Sequence, residues 1–424
     1  MLRVFTGKAV MNVFGVGSLA VLVACAISAE QARSATTPPM EVIAEAGEHA
    51  RLDTPVSISL GWLDDQVASV RVVEIKDGER TPVPSQLESG KPSRLWWILQ
   101  GETPAGGKRT YEIQEGPGEE ASNMEVVQTE EALEIRRGDV KVLRYNTAIT
   151  PLPPDADPKY KRSGYINPAW SPSGQVVTDR AKDYLHQLGI WLAFTQITFE
   201  GRAPNFWDLL NGKATVQFGG LEEKTSGPVF GGFRVIQDHI DLAAPEGEKV
   251  ALKEFWDVRA WNVGGPEAGY WVWDVTTTLR CATASPVLVR ETTWGGMAIR
   301  GAPEWYGDKC RFLTSEGKTR SEANHTRVRW CDMSGSTADV WSGLTVMSHP
   351  KNFRHPEPIR ANETIPYFCF VAAFLGDWEI APQEDVVLRY RFYIHDGEVA
   401  AEDAERVWRD FADAPKVHVG HHEQ

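Results

Sequence analysis

A repeat of large apolar residues at every second position is the feature that most constrains the fold of this chain. Side chains of a β-strand point alternately to its two faces, so a period of two is typical of strands. In residues 387–395 the apolar members are Leu388, Tyr390, Phe392 and Ile394. The run 325–330 alternates in the same way, whereas 269–279 is apolar on both faces. We expect half-buried strands at the first two runs and a fully buried strand at the third.

Aromatic content supports the same fold class. The chain has 16 tryptophans, and aromatic residues make up 10% of it, which suits the pleated surface of a sheet better than a helix. Helical periodicity is confined to residues 400–412, where Ala404, Val407, Trp408 and Phe411 share one side. No internal repeat is evident. The sequence therefore predicts an all-β protein, an antiparallel β-sandwich of two sheets with a small β-domain before it.

Turn-rich and acidic stretches divide the chain into segments. Their order is a signal peptide at 1–29, a flexible tether at 30–40, a small β-domain at 41–122, and a larger β-sandwich domain with a short C-terminal helix at 123–424. Strands of the small domain are expected at 56–60, 70–72, 95–99 and 111–113. The polar segments 151–183 and 349–364 are expected as long loops, which are the usual builders of sites.

The first residues have the pattern of an export signal. A basic start at Arg3 and Lys8 is followed by an apolar stretch and then by small residues. Two kinds of processing fit. Leu22 to Cys25 has the pattern of a bacterial lipoprotein, in which Cys25 is lipidated; alternatively, ordinary cleavage follows Ala26 or Ala29. Either alternative predicts an exported protein, periplasmic or anchored at the outer membrane, whose contact with a membrane is limited to a lipid on Cys25.

Several classes of function are disfavoured. The net charge is −14 and the acidic residues are scattered, which argues against a nucleic-acid partner. No Walker loop, dinucleotide fingerprint or nucleophile elbow occurs in a suitable context. Beyond Cys25 the cysteines are Cys281, Cys310, Cys331 and Cys369, none in CxxC spacing. They allow three disulfide pairings, or they are buried thiols.

Residues near 186 form the first group of candidate site residues. His186 comes just before the apolar stretch 189–197, at the mouth of a sheet, where it can act as a general acid or base. Asp183 either orients it or acts itself. Trp191 can stack on a pyranose ring, as can Trp294. The alternative is that His186 only bonds to the backbone where the strand starts.

Two further groups contain arginines and histidines. His325 shares a predicted strand face with Arg327 and Arg329, which can bind a carboxylate such as that of a uronic acid, or pair with structural acids. The long loop after Met347 carries a cluster that fits a substrate-binding rim or a metal site, although no metal ligand is assigned. Its members are His349, Asn352, Arg354 and His355.

Several motifs resemble those of a known bacterial family. They comprise 162–168 (RSGYINP), 171–174 (SPSG), 183–191, 226–232 (SGPVFGG), 294–296 (WGG) and 347–350 (MSHP). From about 145 to 397 the chain resembles secreted proteins named PmoA-like, or methane oxygenase PmoA. That name refers to a membrane enzyme with several spanning helices, and no such helix is expected here. The resemblance implies instead a β-sandwich in bacteria that degrade polysaccharides, by analogy a galactose-mutarotase-like supersandwich.

The chain departs from that family at two positions. Tyr184 and Asn167 stand where many members carry histidines. If the family's site needs several histidines, this chain has lost some of them, which favours binding over catalysis.

Two main interpretations of function follow. The first is an exported carbohydrate-active enzyme, a hydrolase, lyase or epimerase, with His186 and His325 as acid and base and an arginine neutralising the charge of the substrate. The second is a non-catalytic glycan-binding or structural envelope lipoprotein that uses the same residues without turnover. The sequence identifies no cofactor.

Overall fold

Antiparallel strands make up most of the regular structure. The computed structural model describes residues 39–61, 69–118 and 124–420. Within these ranges, strands are joined by turns and loops, with only short helices. The predicted all-β class is confirmed. The predicted signal peptide, Cys25 and the tether up to residue 38 lie outside the described residues and stay predictions.

Strands of the N-terminal part form two small sheets. They are β1 (Met40–Glu45), β2 (Arg51–Ser59), β3 (Val70–Lys76), β4 (Glu79–Val83), β5 (Ser85–Glu88), β6 (Arg94–Thr103) and β7 (Lys108–Glu115). The four strands that the sequence predicts here lie in β2, β3, β6 and β7. Between the sheets is a core that includes Trp97 and Tyr111, whose ring centroids are 5.4 Å apart.

The remaining strands follow in chain order. They are β8 (Met124–Gln128), β9 (Ala132–Arg137), β10 (Val140–Asn146), β11 (Tyr165–Ala169), β12 (Ile190–Phe194), β13 (Ile197–Phe199), β14 (Ala214–Thr225), β15 (Phe230–Asp241), β16 (Lys249–Trp261), β17 (Tyr270–Cys281), β18 (Val287–Val289), β19 (Gly295–Arg300), β20 (Cys310–Thr314), β21 (Arg327–Val328), β22 (Trp330–Thr337), β23 (Val340–Ser348), β24 (Glu357–Ala361), β25 (Tyr367–Phe370), β26 (Trp378–Ile380), β27 (Val386–Asp396) and β28 (Lys416–Val419). The α-helices are α1 (Arg320–Ala323) and α2 (Ala401–Ala412).

Two large sheets form the predicted sandwich. One has the strand order β21-β24-β25-β19-β12-β11-β10-β9-β8, and the other β14-β15-β16-β17-β27-β23-β22-β20. Their facing sides bury a continuous core that includes Trp191, Trp256 and Trp273. A third, three-stranded sheet joins β13, β18 and β26. The two segments expected as long loops each contain a strand, β11 in 151–183 and β24 in 349–364.

Strand β27 is buried on both faces, which corrects the prediction of one polar face. Arg391 and His395 are only 6% and 2% exposed. The reason is that α2 packs over the outer side of this sheet, where Val407 contacts Tyr393 in a second apolar cluster. Arg391 is stabilised there by two hydrogen bonds to the carboxylate of Asp274, at 2.7 and 2.9 Å.

The predicted strand at 325–330 is interrupted. His325 follows α1 and has a positive φ of 61°, a backbone conformation that a strand does not allow. Only Arg327 and Val328 then pair with β24, and a new strand, β22, begins at Trp330. His325 therefore does not share a strand face with the two arginines.

Strand β28 pairs with β1 and so returns to the N-terminal sheet. Val42 lies opposite Val419, and β1 is hydrogen-bonded to β7 on its other side. The sheet order is β28-β1-β7-β3-β4. The described residues form one compact unit.

Two further observations concern the state of the cysteines and the length of the helices. Cys281, Cys310, Cys331 and Cys369 are free thiols, and all except the half-buried Cys281 are buried. No helix in the described part of the chain has the length and apolarity needed to cross a membrane.

A buried histidine and aspartate join β27 to β22. His395 Nε2 lies 2.9 Å from Asp332 Oδ1, and His395 Nδ1 lies 2.9 Å from the carbonyl oxygen of Gly397. Both ring nitrogens face oxygen acceptors, so the ring is held as an imidazolium. Burial lowers the pKa of His395, but the Asp332 charge and both hydrogen bonds outweigh it, and the pKa is raised above its ordinary value.

We expect this pair to make stability depend on pH. Because the pKa of His395 is raised in the folded protein, its contribution is fully present below the ordinary histidine pKa of about 6.5 and is lost as the pH rises through the folded value. The free energy of unfolding, measured in urea, should therefore differ more between wild type and His395→Gln at pH 6 than at pH 9. An equal difference at both pH values would contradict the imidazolium assignment.

Candidate functional site

A cleft at the surface is bordered by the segments before and after β12. Its volume is about 610 Å³, within the range of about 300–1,000 Å³ typical of small-molecule sites. The turn 182–187 forms one side, the loop 205–210 another, and Trp294 a third. Two of the predicted catalytic residues, His186 and Asp183, line it together.

Asp183 is anchored by a buried arginine. Arg300, on β19 and fully buried, donates to Asp183 Oδ1 at 3.0 Å and to Gln187 Oε1 at 2.6 Å, while the Tyr306 hydroxyl donates to Asp183 Oδ2 at 2.5 Å. Burial would raise the pKa of Asp183, but the Tyr306 hydrogen bond and the Arg300 charge outweigh it and hold the pKa low. Asp183 is therefore an anion that stabilises the turn. Its carboxylate accepts hydrogen bonds from Arg300, Tyr306 and the backbone N–H of Tyr184, and among the described residues none comes from His186.

His186 is half-buried and free to meet a ligand. In the described ranges no residue is hydrogen-bonded to either ring nitrogen, and the Tyr184 ring lies edge-on to it with centroids 6.0 Å apart. Burial lowers the pKa of His186 to about 4, the charges of Arg162 and Arg300 act in the same direction, and Asp208 opposes them. The ring is neutral at neutral pH, so one nitrogen accepts a proton or hydrogen bond while the other donates.

The loop 205–210 brings a second carboxylate to the cleft. Asn205 Oδ1 accepts from the backbone N–H groups of Trp207, at 3.0 Å, and Asp208, at 3.2 Å, which closes a tight turn. Asp208 Oδ1 accepts from the N–H of Leu210 at 3.0 Å. The Asp208 side chain is half-buried and, among the described residues, forms no ion pair within 4 Å. Its carboxylate is available to a ligand.

Packed aromatic rings form the floor beneath the cleft. Trp191 is fully buried and packs against Trp207 with centroids 5.2 Å apart. Trp294 packs on Tyr367 at 6.3 Å and 30° and is 38% exposed. The prediction that Trp191 stacks on a ligand is therefore wrong, because no part of its ring is accessible. Trp294 is exposed enough to meet a sugar ring, as is Tyr184, which is 45% exposed and also lines the cleft.

His325 lies outside this cleft. Its ring stacks on Phe374 with centroids 4.7 Å apart and an interplanar angle of 19°, and it is not among the residues that line the cleft. The predicted pairing of His186 and His325 as acid and base therefore has no geometric support.

The arginines predicted to bind substrate already have protein partners. Arg327 Nε donates to the carbonyl of Pro356 at 2.7 Å, and Arg354 donates to the carbonyls of Ala372, Gly376 and Asp377. Arg329 Nη1 bonds to Glu405 of α2 at 2.6 Å. Guanidinium groups used in this way hold loops and a helix in place, and they do not form the predicted carboxylate site.

Residues 348–357 form a separate buried polar cluster beneath α2. Asn352 is 4% exposed, and its amide exchanges hydrogen bonds with the backbone of Arg389 at 2.7 and 2.8 Å. His355 Nδ1 lies 3.2 Å from Ser348 Oγ, and the His355 ring is parallel to that of Trp408 on α2. His349 contacts Phe411 edge-on at 4.9 Å. Asn352 therefore attaches the loop to β27, His349 and His355 contact α2, and none of the three lines the cleft.

A family model matches this chain over residues 132–409, well over half of its length. The chain belongs to the family of unknown function DUF6807. No curated protein sequence matches it significantly.

Solved structures with a similar outline are larger proteins. A glycosyl hydrolase family 38 protein from Enterococcus faecalis is 10% identical, with a TM-score of 0.47 over 91% of this chain and 48% of its own. An α-mannosidase from Enterococcus faecalis V583 is 9% identical, with a TM-score of 0.47 over 91% and 46%. A mutant heparan sulfate lyase from Pedobacter heparinus is 10% identical, with a TM-score of 0.33 over 68% and 38%. The chain spans about half the length of the first two.

Two residues of this DUF6807 cleft were not foreseen from the sequence. Asp208 lies in a turn that also contains Asn205. Asn and Asp are typical turn residues, and this composition is the sequence signal that could have indicated the turn. Arg300 lies at the end of β19 in an apolar stretch, and only the fold shows that it reaches Asp183. In the described part of the chain, no group of three or more His, Cys, Asp or Glu side chains is placed to hold a metal ion.

Proposed function

We propose that the protein is an exported carbohydrate-active protein that binds a saccharide in this cleft and uses His186 as the proton acceptor. One observation carries the proposal. A half-buried histidine, whose ring nitrogens have no hydrogen-bond partner among the residues that the structure describes, lines the same cleft as an exposed tryptophan.

The lining of the cleft matches the two kinds of surface on a sugar. A pyranose has an apolar C–H face, which Trp294 can cover, and a rim of hydroxyl groups. Side-chain amides of Gln187, Asn205 and Asn362 border the cleft and can both donate and accept. An aromatic surface with a few convergent polar groups is the usual composition of a small-molecule site.

The charge state of His186 suits a base. A neutral imidazole can take a proton from a hydroxyl group, from water or from an acidic C–H, the step shared by hydrolysis, elimination and epimerisation. Asp208, which has no ion-pair partner in the described part of the chain, lines the same cleft, and its charge stabilises the imidazolium that forms. The roles that the sequence assigned to Asp183 and His325 are not part of this proposal.

The setting of the activity is outside the cytoplasm. The signal-peptide pattern at residues 1–29 supports export to the periplasm, and Cys25 supports an outer-membrane lipid anchor. The motifs similar to PmoA-like proteins support a role in polysaccharide use. The acidic net charge of −14 supports a partner other than nucleic acid.

A non-catalytic glycan-binding protein is the second candidate function. The observation that favours it is the anchoring of Asp183 by Arg300 and Tyr306, which leaves His186 with no carboxylate hydrogen-bonded to it. Acid–base catalysis commonly uses two positioned groups, whereas binding needs only the surface.

Replacing His186 with alanine tests the proposal. Purified wild-type protein and His186→Ala would be incubated with a panel of plant and algal oligosaccharides, with products read by mass spectrometry and binding by thermal shift. We expect wild type to form products and His186→Ala to lower the rate about 10²–10⁴-fold, because a positioned base contributes that much. The wild-type kcat/KM should fall as the pH drops through about 4, where His186 becomes protonated.

An exposed histidine provides the matched control. His418, on β28 and solvent-exposed, lies in the N-terminal sheet and does not line the cleft, so His418→Ala should keep full activity. Binding without products in the wild type would establish the glycan-binding alternative. Neither binding nor products across the panel would refute both candidates.

A further inference from the structure

The cations around the cleft are nearly all held by protein acceptors. Arg300 is fully buried and engaged by Asp183 and Gln187. Arg360 lies over the Trp294 ring, 4.7 Å from its centroid, and donates to Asn324 Oδ1 at 2.9 Å. Lys159 pairs with Asp157 at 3.0 Å. Arg300 cannot turn to a ligand without losing these bonds, and neither Arg360 nor Lys159 is among the residues that line the cleft.

Carboxylates, in contrast, face the cleft directly. Asp208 is half-buried with no ion-pair partner among the described residues, and Asp183 stays anionic beside His186. The remaining cation of the lining, in the part of the chain that the structure describes, is the exposed Lys182. A uronate or sulfate in the cleft would meet Asp208 at close range, and like charges in a partly desolvated site repel each other.

The same carboxylate is well suited to hydroxyl groups. An ionised carboxylate has about four acceptor positions, and within the described ranges Asp208 accepts one hydrogen bond, from the Leu210 N–H. Hydrogen bonds from hydroxyls to an ionised acceptor are shorter and stronger than neutral ones. Trp294 adds the apolar surface on which a pyranose face without charge can lie.

We propose that the ligand of the cleft is a neutral saccharide, held through its hydroxyl groups by Asp208 and through its apolar face by Trp294, and that uronate and sulfated glycans are rejected. This inference rests on the proposed function and names its substrate class. It also reverses the expectation, drawn from Arg327 and Arg329, of a uronic acid.

Isothermal titration of the full chain with trisaccharides of three charge classes tests the inference. The probes are neutral gluco-, manno- and galacto-trisaccharides, trigalacturonate, and a fully deacetylated glucosamine trimer. We expect wild type to bind at least one neutral trisaccharide about tenfold or more tighter than either charged class. Asp208→Asn should lower the affinity for the neutral trisaccharide about tenfold, because a charged acceptor is lost. The ratio of the affinities for the neutral trisaccharide and for trigalacturonate should become smaller as well.

The controls keep the outcomes separate. Asp139→Asn changes an exposed acid in the β9–β10 turn, outside the cleft, and should alter nothing. If wild type bound trigalacturonate more tightly than the neutral trisaccharides and Lys182→Gln lost this binding, the inference would be overturned while the proposed function stayed in place. A preference for the glucosamine trimer would have the same meaning. Absence of binding to every class would refute the proposed function itself. The comparison of ligands on wild type decides the question even where a variant folds poorly.

Discussion

Replacement of Trp191 by alanine is expected to lower the free energy of unfolding by about 3–5 kcal/mol. The indole is fully buried and packs on Trp207 and Tyr367, with centroids 5.2 and 6.3 Å away. Truncation removes this apolar surface from the core and leaves a cavity that stiff neighbouring rings fill poorly. Urea unfolding, followed by tryptophan fluorescence and circular dichroism, would measure the loss.

Trp294→Ala is the matched control because it removes the same type of side chain from the same cluster of packed aromatic residues. Trp294 is 38% exposed, so we expect a change in the free energy of unfolding of no more than about 1 kcal/mol. Its effect should fall instead on the affinity for saccharides. Equal stability of the two variants would show that Trp191 is not a core residue.

Asp410→Ala is expected to cost about 3–5 kcal/mol in the free energy of unfolding. Arg51 on β2 is 1% exposed and donates to Asp410 Oδ1 at 3.0 Å, while Thr54 donates to Oδ2 at 3.2 Å. Without the Asp410 carboxylate, the buried guanidinium keeps as anionic partner, among the described residues, the largely exposed Asp413 at 3.6 Å. Because this pair joins α2 to the N-terminal sheets, urea unfolding should also show whether the two parts still unfold together.

Asp413→Ala controls for the loss of a carboxylate beside the same arginine. Asp413 Oδ2 is 3.6 Å from Arg51 Nη2, but its side chain is 65% exposed, and we expect a cost of about 0–1 kcal/mol. The double variant Arg51→Met with Asp410→Leu should recover much of the stability lost in Asp410→Ala, because no unpaired charge is buried. A double variant no better than Asp410→Ala would contradict this explanation.

Local periodicity predicted the regular elements well. The alternation in 269–279 and 387–395 identified β17 and β27, and the helical spacing after residue 400 identified α2. It did not reveal that the polar side of β27 is buried, because the cover comes from α2, which packs there through tertiary contacts. Strand β28 was missed because it is short and mostly exposed, and its partner lies at the other end of the chain.

The candidate site was predicted in part, for a related reason. The sequence identified His186 and Trp294 by residue type, and both line the cleft. Residue type alone could not tell that Arg327 and Arg354 would be used by backbone carbonyls, since those carbonyls come from loops that only the fold brings near. Asp208 is the opposite case. Its residue type predicts only a turn, but its loop lines the cleft, so its carboxylate is available to a ligand.

The pairing of β1 with β28 has a consequence for the order in which the protein can be completed. A ribosome makes β1 well before β28, so the outer edge of β1 lacks its neighbour until residues 416–419 have been synthesised. During that interval its backbone N–H and C=O groups are open to pairing with a strand of another molecule. A chaperone that shields extended segments would protect the nascent protein at this edge.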